Sequence, residues 1–413
     1  MPPVIRPVRD EELVDWFAAF GTAFYIWPND AQASADARRP NMDLDRTIGA
    51  FDGDAIVGTF RTFPTRLTIP GNERIDVSAV SAVSVRPTHR RQGILRRLIA
   101  DDVARSVERG DVASILIAAE WPIYGRFGYG PATWQATWSL RVREAALLLD
   151  PVGSIEIVDR EAARNLLPDV YDRCAANQPG EIARPPSRWD HELGVRDVPG
   201  RPPWRGAIVV HRNEAGKPDG FARFRGEEKW IDMSPDHVML LDDLHGETPA
   251  AELDLWRHLA QMDLTATIRT EHPRRPLEPV KWFFSNPRAA TVTGLSDFLW
   301  LRIFDVPRFL SARRYERDGE LVLDVVDDVD GAAGPASGRY RLVVDGGAAT
   351  CERTDAKADL TIDVRALSAA ALGGTRLVDA SRTVPFEEHR PGALRDAEGL
   401  LLTVEAPWCS TWF

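Results

Sequence analysis

The sequence predicts a mixed protein in which α/β and α+β regions follow one another along the chain. Three observations support this class. A strand, a turn and a helix succeed one another over residues 80–107, and the same order returns over residues 238–260. After residue 297, short alternating strands and short helices replace that pattern. Strand-turn-helix units indicate an α/β sheet, whereas short segregated elements indicate an α+β region.

The first third of the chain predicts the order β-α-β-β-β-α-β. The strand at 80–85 ends before Pro87, because proline cannot donate a ladder hydrogen bond. The predicted elements are an edge strand at 4–9, a helix opened by Asp10 and Glu11, a hairpin over 50–60 that turns at Asp52–Asp54, a strand at 65–69, the strand at 80–85, a helix that begins near Gln92 or Gly93, and a strand at 113–119.

The pattern restarts after Arg143 and changes again after Asp297. The second part resembles a weak internal repeat of the first strand-turn-helix unit. The predicted elements of both parts are a helix at 161–171, strands at 204–211, 220–226 and 238–244, a helix around 253–260, a helix that begins within 303–310, strands at 321–326, 338–344 and 359–364, a helix at 366–372 and a last strand at 399–407.

Composition excludes several classes of protein. The 413 residues, 44% of them hydrophobic, suit two or three globular domains. A formal net charge of −11 argues against bulk binding of nucleic acid, and it would tolerate or attract cationic substrates. The N-terminus lacks an apolar signal core and no run approaches the length of a membrane span, so we expect a cytoplasmic protein.

The three cysteines, Cys174, Cys351 and Cys409, lie far apart without CxxC spacing. This spacing predicts neither a disulfide framework nor a metal site. We therefore expect reduced cysteines that are partly buried as small hydrophobic residues, and no metal cofactor.

The turn Arg90-Arg91-Gln92-Gly93 carries the clearest chemical signal. Unpaired backbone N–H groups and the positive end of the helix dipole make a helix N-terminus receptive to phosphate. Gly93 allows a ligand to approach the backbone closely, and the two arginines add forked donors that suit phosphate oxygens. The turn is neither GxGxxG nor a P-loop. A basic surface turn without a ligand is the alternative interpretation.

Two motifs carry a resemblance to a known family. Arg90-Arg91-Gln92-Gly93-Ile94-Leu95 resembles the acetyl-CoA loop Arg/Gln-x-x-Gly-x-Gly/Ala of the GCN5-related N-acetyltransferases (GNAT), with Leu95 in place of the small last residue. Val83-Ser84-Val85-Arg86-Pro87 precedes this loop, and Ile123-Tyr124-Gly125-Arg126-Phe127-Gly128-Tyr129-Gly130 follows it. With a chain of this length that ends in Phe413, the whole resembles the Eis (enhanced intracellular survival) subfamily, in which Leu95 is normal.

The resemblance implies two tandem GNAT-like domains, the second degenerate, and a C-terminal sterol-carrier-protein-like domain whose end reaches the active site. The implied ranges are 1–146, 147–298 and 299–413. It further implies an N-acetyltransferase that uses acetyl-CoA as cosubstrate and no metal. The acetyl group would pass directly to amines of cationic substrates such as aminoglycosides, which is an antibiotic-resistance activity. Eis proteins are typically hexamers, so the resemblance implies a homo-oligomer.

The resemblance also assigns site residues. Tyr124 would be the general acid, although the residues alone do not choose between Tyr124 and Tyr129, and either fits a core aromatic. The terminal carboxylate of Phe413 would be the base, because the apolar tail 406–413 suits burial; the alternative is a tail packed into the third domain with an exposed carboxylate. Backbone groups of Val83 and Val85 would meet pantetheine and the acyl carbonyl. The turn residues Arg90, Arg91, Gly93 and Ile94 would meet the pyrophosphate.

The second strand-turn-helix unit differs where a ligand would bind. Its turn is His245-Gly246-Glu247-Thr248, and Glu247 would repel a phosphate. We therefore expect no CoA binding there. Asp242 and Asp243 are expected to be solvated, and His89 beside the first turn is expected to be a surface residue.

The acceptor pocket is predicted to be aromatic. Asp30 and Glu120 are the possible cation partners, and aromatic faces also hold amines through cation–π contacts. Three functions remain open at this point: acetylation of cationic multi-amine substrates, acetylation of peptide or protein lysines, and a non-catalytic acyl-CoA or lipid-binding module. The aromatic residues are Trp16, Phe24, Tyr25, Trp27, Trp121 and Trp412.

Overall fold

The computed structural model of the chain describes residues 2–26, 30–148, 150–196, 203–272, 274–329 and 331–413. In the first part, the predicted order holds with two differences. A second helix follows the first, and one long strand over residues 55–68 replaces the second strand of the predicted hairpin and the strand predicted at 65–69. The elements of this part are β1 (Val4–Pro7), α1 (Leu13–Ala23), α2 (Ala31–Arg38), β2 (Thr47–Asp52), β3 (Ala55–Thr68), β4 (Arg74–Val85), α3 (Ile94–Arg109), β5 (Ala113–Ile117), α4 (Trp121–Tyr124), β6 (Gly130–Pro131) and β7 (Trp134–Arg141).

The remaining elements fall into two groups. The middle of the chain forms β8 (Ser154–Val158), α5 (Arg160–Ala176), α6 (Pro186–Glu192), β9 (Ala207–Arg212), β10 (Pro218–Glu227), β11 (Trp230–Ile231), β12 (Ser234–Pro235), β13 (His237–Gly246), α7 (Pro249–Ala260), β14 (Thr265–Thr270), β15 (Ala290–Asp297) and β16 (Leu299–Ile303). The last part forms α8 (Val306–Ala312), β17 (Gly319–Val326), β18 (Asp328–Val329), β19 (Ala332–Ala333), β20 (Gly338–Asp345), β21 (Ala348–Arg353), β22 (Leu360–Asp363), α9 (Val364–Ala370), α10 (Leu377–Ala380), β23 (Phe386–Glu388) and α11 (Ala393–Leu401).

Two large mixed sheets dominate the described residues. The first has seven strands in the order β1-β2-β3-β4-β5-β16-β6, and the second has seven in the order β15-β7-β14-β13-β10-β9-β8. β4 and β5 run parallel in the first sheet, and β13 and β14 run parallel in the second. Each parallel pair is joined by a helix, α3 or α7, as a βαβ connection requires.

The two sheets exchange strands. β7 is early in the chain but pairs with β14 and β15 in the second sheet. β16 follows the second sheet in sequence but lies between β5 and β6 in the first. The division at 146/147 and 298/299 stays a prediction, and the strand exchange ties together the two parts on either side of it.

The second sheet carries the predicted internal repeat. β4 has a register shift opposite Thr59 and Arg61, and β13 has one opposite Arg223 and Phe224. In both sheets the shifted strand is the one that leads through a turn into the connecting helix. The repeat is therefore structural, although the two turns share little sequence.

The last part packs α8, α9 and α11 against a five-stranded sheet of order β21-β20-β17-β22-β23, counted over the described residues. The strand predicted at 399–407 is wrong, because α11 covers its first residues. Ala393, Ala397, Leu400 and Leu401 are all buried. Their spacing places them on one helical face, a pattern that outweighs the β propensity of the residues that follow.

Two glycines of the 123–130 motif give a matched test of packing. An added Cβ at Gly130 would lie 2.2 Å from the carbonyl oxygen of Arg365 and 2.9 Å from the Cβ of Ala369, both on α9. We expect Gly130→Ala to lower the free energy of unfolding by about 1–3 kcal/mol, because α9 has to move away from β6.

Gly125→Ala is the control, since an added Cβ there meets no atom within 4 Å and the backbone φ of −57° is ordinary. Its stability should equal or slightly exceed that of the wild type. Urea denaturation measures both variants, and equal stabilities for the two would contradict the close packing of α9 on β6.

Candidate active site

β4 and β5 separate after a short stretch of pairing. Their parallel pairing is limited to Ser78 with Ser114 and Ala79 with Ile115, although β4 continues to Val85 and β5 to Ile117. Beyond Ala79, the side of β4 that faces β5 has no strand partner. Backbone N–H and C=O groups left in this way need another partner or water. The diverging strands therefore form a gap, which we call the β4–β5 gap, that suits an extended ligand with amide groups.

A β-bulge sets the direction of β4 at the gap. Ala82 has φ +51°, an uncommon backbone conformation for a residue with a Cβ. Its carbonyl accepts a hydrogen bond of 2.8 Å from the Thr59 hydroxyl, which also lies 2.7 Å from the Ser84 hydroxyl. A bulge increases the local twist and re-aims the residues that follow. Val83 and Val85 are half-buried along this segment.

The turn after β4 presents open backbone donors. Arg91 has φ +63° and Gly93 has φ +75°, and no side chain caps the N-terminus of α3. An added Cβ at Gly93 would meet no protein atom within 4 Å, so the space above it is open. Arg90 and Arg91 are both exposed to solvent. Such a turn can hold an anion with backbone N–H groups and two cations.

Tyr124 ends α4 beside the end of β5. Its side chain is 7% exposed and packs edge-on against Tyr129 with 6.0 Å between ring centroids. Tyr129 is fully enclosed, and its hydroxyl lies 2.8 Å from the Ser114 hydroxyl. Burial, with a smaller contribution from Glu120, raises the pKa of Tyr124 to about 12. Of the two tyrosines, Tyr129 is engaged in the core, and Tyr124 keeps some access.

The predicted acid and base lie on opposite sides of the first sheet. Ile115 and Leu116 are neighbours on β5 but belong to different cores, since successive side chains of a strand point to opposite faces. Tyr124 belongs to the core under α3 with Leu116, whereas Phe413 packs against the other core with Ile115. The β4–β5 gap lies between these two faces, so a ligand in the gap is reachable from both.

The C-terminal tail, residues 407–413, is held against the first sheet. The ring of Phe413 contacts Phe63 of β3 edge-on at 5.7 Å, and Trp412 contacts Phe298 at 5.7 Å. Trp408 and Cys409 are fully buried, which extended chain ends seldom are. Cys409 packs in the core of the last part, while Ser410 to Trp412 bind residues of the middle of the chain. The tail therefore contacts all three parts.

The residues of the predicted aromatic pocket divide into one core residue and several exposed rings. Trp16 is a core residue, because its side chain is 1% exposed and its indole N–H donates to the Ile48 carbonyl. Phe24, Tyr25, Trp121 and Trp412 are exposed, and Trp27 lies outside the described residues. These exposed rings remain available to a ligand.

The predicted polar residues around the site differ in their environments. Asp30 and Glu120 are exposed, and Asp30 also caps α2. His89 is a partly exposed residue whose ring lies 3.3 Å from Asp52. Asp30 and Glu120 are therefore free to meet a cation from solvent.

The second turn differs from the first in how its helix N-terminus is capped. Thr248 caps α7 by accepting from the Ala251 N–H at 3.2 Å, and Pro249 has no N–H. Glu247 pairs with Arg173 and lies 3.5 Å from Lys217. A side-chain cap and a carboxylate thus take the place that an anion would need.

The expectation that Asp242 and Asp243 are solvated is wrong. Both are buried, at 4% and 6% exposure. The register shift of β13 directs both side chains into the protein interior, where cationic and N–H groups lie beside them. Asp242 accepts from Trp204 and Arg225, and Asp243 pairs with Arg184 and His245. Buried carboxylates persist only with such partners.

Comparisons with known proteins agree with this geometry. Family models for an acetyltransferase (GNAT) domain match residues 4–132 and 180–303, and one for a sterol carrier protein domain matches 306–410. An uncharacterized N-acetyltransferase of Streptomyces avermitilis is 39% identical over 99% of this chain and 98% of its own. N-acetyltransferase Eis of Mycobacterium tuberculosis is 32% identical over 83% of each chain.

Solved structures give the same result. The crystal structure of Eis1 from Mycobacterium abscessus has a TM-score of 0.86 and 32% identity, covering 99% of this chain and 100% of that one. A GCN5-related N-acetyltransferase from Anabaena variabilis, at 18% identity and a TM-score of 0.83, shares the fold.

The fold and the turn at the β4–β5 gap define a GNAT N-acetyltransferase with two GNAT domains and a sterol-carrier-type domain. More narrowly, the chain belongs to the Eis family of these acetyltransferases. Enzymes of the GNAT class use acetyl-CoA. The prediction of an Eis-type enzyme is confirmed, and a purely non-catalytic binding module is set aside. No helix in the described part of the chain is long and apolar enough to cross a membrane.

Sequence reasoning missed the residues that hold the tail. Arg184 and Ser410 are 226 residues apart in the chain, so no local pattern links them. The bulge at Ala82 was also missed, since alanine gives no signal for a positive φ. The apolar character of residues 406–413 was the one clue that the tail has a buried partner.

Asp102 on α3 gives a pH-dependent prediction. Its side chain is buried, and its Oδ2 has no hydrogen-bond partner in the described structure. Burial raises the pKa of Asp102 to about 7, although the positive charges of Arg109 and Arg46 act to lower it. A carboxyl group whose pKa rises on folding stabilises the fold when protonated. Wild-type stability should therefore fall as the pH rises from about 4 to about 7.

We expect Asp102→Asn to be more stable than the wild type by about 2–3 kcal/mol at pH 8 and about equal near pH 4. Urea denaturation across this pH range measures the difference. Asp101→Asn is the control, because Asp101 pairs at the surface with Arg105 and should change stability by less than about 1 kcal/mol. A pH-independent difference for Asp102→Asn would contradict the buried charge.

Proposed function

We propose that this acetyltransferase transfers the acetyl group of acetyl-CoA directly to amines of cationic substrates, of the aminoglycoside type. Tyr124 acts as the acid and the carboxylate of Phe413 as the base. The observation that carries the proposal is the placement of the chain's last residue against β3, on the face of the first sheet opposite Tyr124. Acid and base then approach one thioester in the β4–β5 gap from two sides.

Acetyl-CoA would occupy the gap and the turn. The backbone of Val83 and Val85 replaces the missing strand partner for pantetheine, and one N–H of this segment polarises the thioester carbonyl. Arg90, Arg91, Gly93 and Ile94 surround the pyrophosphate through side chains and the open N-terminus of α3. The support is the φ values, the absence of a side-chain cap and the open space at Gly93.

The reaction balances without a covalent enzyme intermediate. The amine nitrogen attacks the thioester carbon, the C–S bond breaks, the amine proton passes to the Phe413 carboxylate, and the thiolate of CoA takes the Tyr124 proton. A cysteine relay finds no support, because Cys174, Cys351 and Cys409 are the only cysteines and all are buried. Burial raises the thiol pKa of each, which suppresses the thiolate form that attacks.

Tyr124 suits the role of acid. A phenol whose pKa is raised to about 12 stays protonated at neutral pH. Its proton is therefore present when the thiolate develops. A thiol of ordinary pKa near 8.5 is the stronger acid, so Tyr124 acts first by donating a hydrogen bond to the developing thiolate, before the proton moves. Tyr129 suits the role less well, since its hydroxyl is bound to Ser114 inside the core.

The acceptor side combines acidic and aromatic groups. Asp30 and Glu120 are exposed carboxylates, and the exposed rings of Tyr25, Trp121 and Trp412 offer cation–π faces. These rings also favour a second candidate, the lysine side chain of a peptide, which brings one ammonium and an apolar stem. A homo-oligomer, hexameric as in the Eis family, stays an expectation from the resemblance.

Tyr124→Phe and Arg91→Glu should damage different steps. Loss of the phenol hydroxyl should lower kcat at least about 100-fold and leave acetyl-CoA affinity unchanged, because only proton transfer is affected.

Charge reversal at Arg91 should raise the acetyl-CoA Kd about tenfold or more, with kcat at saturation within about threefold of the wild type. Calorimetry and thiol-release kinetics separate the two effects. Wild-type kcat in Tyr124→Phe would remove Tyr124 as the acid.

A C-terminal extension tests the function and the base together. We would add Gly-Ser-Gly after Phe413, which displaces the carboxylate, and place the same three residues before Met1 in a control chain. Thiol release is measured with aminoglycosides, a lysine peptide and a simple aromatic amine. The control chain should be active on at least one aminoglycoside, and the extended chain should lose at least about 100-fold in kcat.

The panel separates the alternatives. Full activity of the extended chain would keep the enzyme and remove Phe413 as the base. Turnover of the lysine peptide alone would replace the aminoglycoside proposal by the second candidate.

A further inference from the structure

We infer that Arg184 is a positioning residue, which holds the C-terminal tail from the second GNAT domain and thereby fixes the terminal carboxylate of Phe413. The inference rests on the proposed function, in which that carboxylate is the base. Its own evidence is a set of buried hydrogen bonds that join Arg184 to the tail just before its last two residues.

Arg184 binds two tail hydroxyls at once. Its Nη2 donates to Ser410 Oγ at 2.7 Å, and its Nε donates to Thr411 Oγ1 at 2.9 Å. The guanidinium is 2% exposed and lies 4.0 Å from the Tyr171 ring centroid. A planar fork that reaches two acceptors fixes their orientation better than a single bond does.

The guanidinium is itself held rigidly. Its Nη1 donates to Asp243 at 2.5 Å and lies 3.4 Å from Glu192. Burial opposes the charge, but the nearby carboxylates of Asp243 and Glu192 hold the pKa of Arg184 above its usual value. The segment before Arg184 pairs with β3, because the Ala183 N–H donates to the Arg66 carbonyl. We call Arg184 with these contacts the clamp. The clamp is thus attached to β3, the strand that also carries Phe63.

Other residues of the second domain bind the tail backbone. Glu181 accepts from the Ser410 N–H at 3.0 Å, and Arg188 donates to the Trp412 carbonyl. Tyr171 shares a hydrogen bond of 3.0 Å with Thr411. Every residue from Ser410 to Trp412 therefore has a polar contact with this domain, and Phe413 extends past these contacts to Phe63 of β3.

The tail occupies the place where the second sheet opens. β14 ends at Thr270, opposite Leu241, whereas β13 continues to Gly246, so this side of β13 is left without a strand partner, as one side of β4 is. Arg274 donates to the Leu244 carbonyl at 2.5 Å, and Trp408 stacks on His245 at 5.4 Å. In the second domain, protein groups fill the opening that would take a ligand in the first.

A base at the end of a chain has to be held in one position, and the clamp provides this restraint. Chain ends fray unless they are tied down, and misplacement by about 1 Å can cost a factor of about 100 in rate. Removing the two tail hydroxyls leaves Arg184 with its carboxylates, so the buried charge stays compensated. The fold should survive while the tail loosens.

The test is a cycle of four chains: wild type, Ser410→Ala/Thr411→Val, the Gly-Ser-Gly extension, and the extension with both substitutions. In the native-length chain we expect kcat to fall about 10–100-fold at unchanged acetyl-CoA Kd. In the extended chain the substitutions should cause no further loss, since the carboxylate is already displaced. Thr411→Ser keeps the hydroxyl and should keep the activity.

Thr403→Val is the matched control, because its hydroxyl donates to the Glu405 carbonyl instead of contacting Arg184. It should match the wild type. A double variant with wild-type kcat, beside an inactive extended chain, would overturn the clamp and leave the base in place. The same fractional loss in both backgrounds would also overturn it, by showing a general structural role. An extended chain with full activity would overturn the base itself, and the clamp with it.

Discussion

Pairing between parallel strands that stops before the longer strand ends is the constraint on which this structure depends. A strand that loses its neighbour exposes backbone N–H and C=O groups, and these groups need partners. The first sheet leaves its separated strands open beside an uncapped helix. The second sheet closes its own with Arg274 and the C-terminal tail. One fold therefore yields an open gap in one copy and a filled one in the other, and the difference lies in a few side chains.

Much of this arrangement follows from sequence patterns. The strand before Pro87, the turn after it and the repeated strand-turn-helix unit are local signals. The structure confirms these elements, and phosphate binding at the turn stays a prediction. The failures are non-local. Asp242 and Asp243 are adjacent carboxylates that predict solvent, and only the fold shows that Arg184, Arg225 and His245 surround them. Residues 399–407 predict a strand, but Leu400 and Leu401 belong to the buried face of α11, which begins at Ala393, before that stretch.

The candidate site was predictable in part for the same reason. Arg90, Arg91 and Gly93 lie within one turn, so their spacing alone predicts an anion site. Val83 and Val85 owe their placement to a bulge at Ala82 and to Thr59, which is distant in sequence. The contacts of Phe413 depend on residues of β3 and of the second domain. The periodicity of a sequence does not predict such contacts between distant residues, whereas resemblance to a family does.

The strand exchange has a consequence for the order of synthesis. β16 lies between β5 and β6, so the first sheet lacks an internal strand until residue 303 has been made. A ribosome adds about 5–20 residues per second, and domains near the N-terminus usually fold while the rest is translated. Here the N-terminal sheet cannot be completed until most of the chain has been made. Until then, the side of β5 that pairs with β16 is an exposed hydrophobic edge. This protein is thus a candidate for chaperone dependence during translation, and its first GNAT domain is a poor unit to express alone.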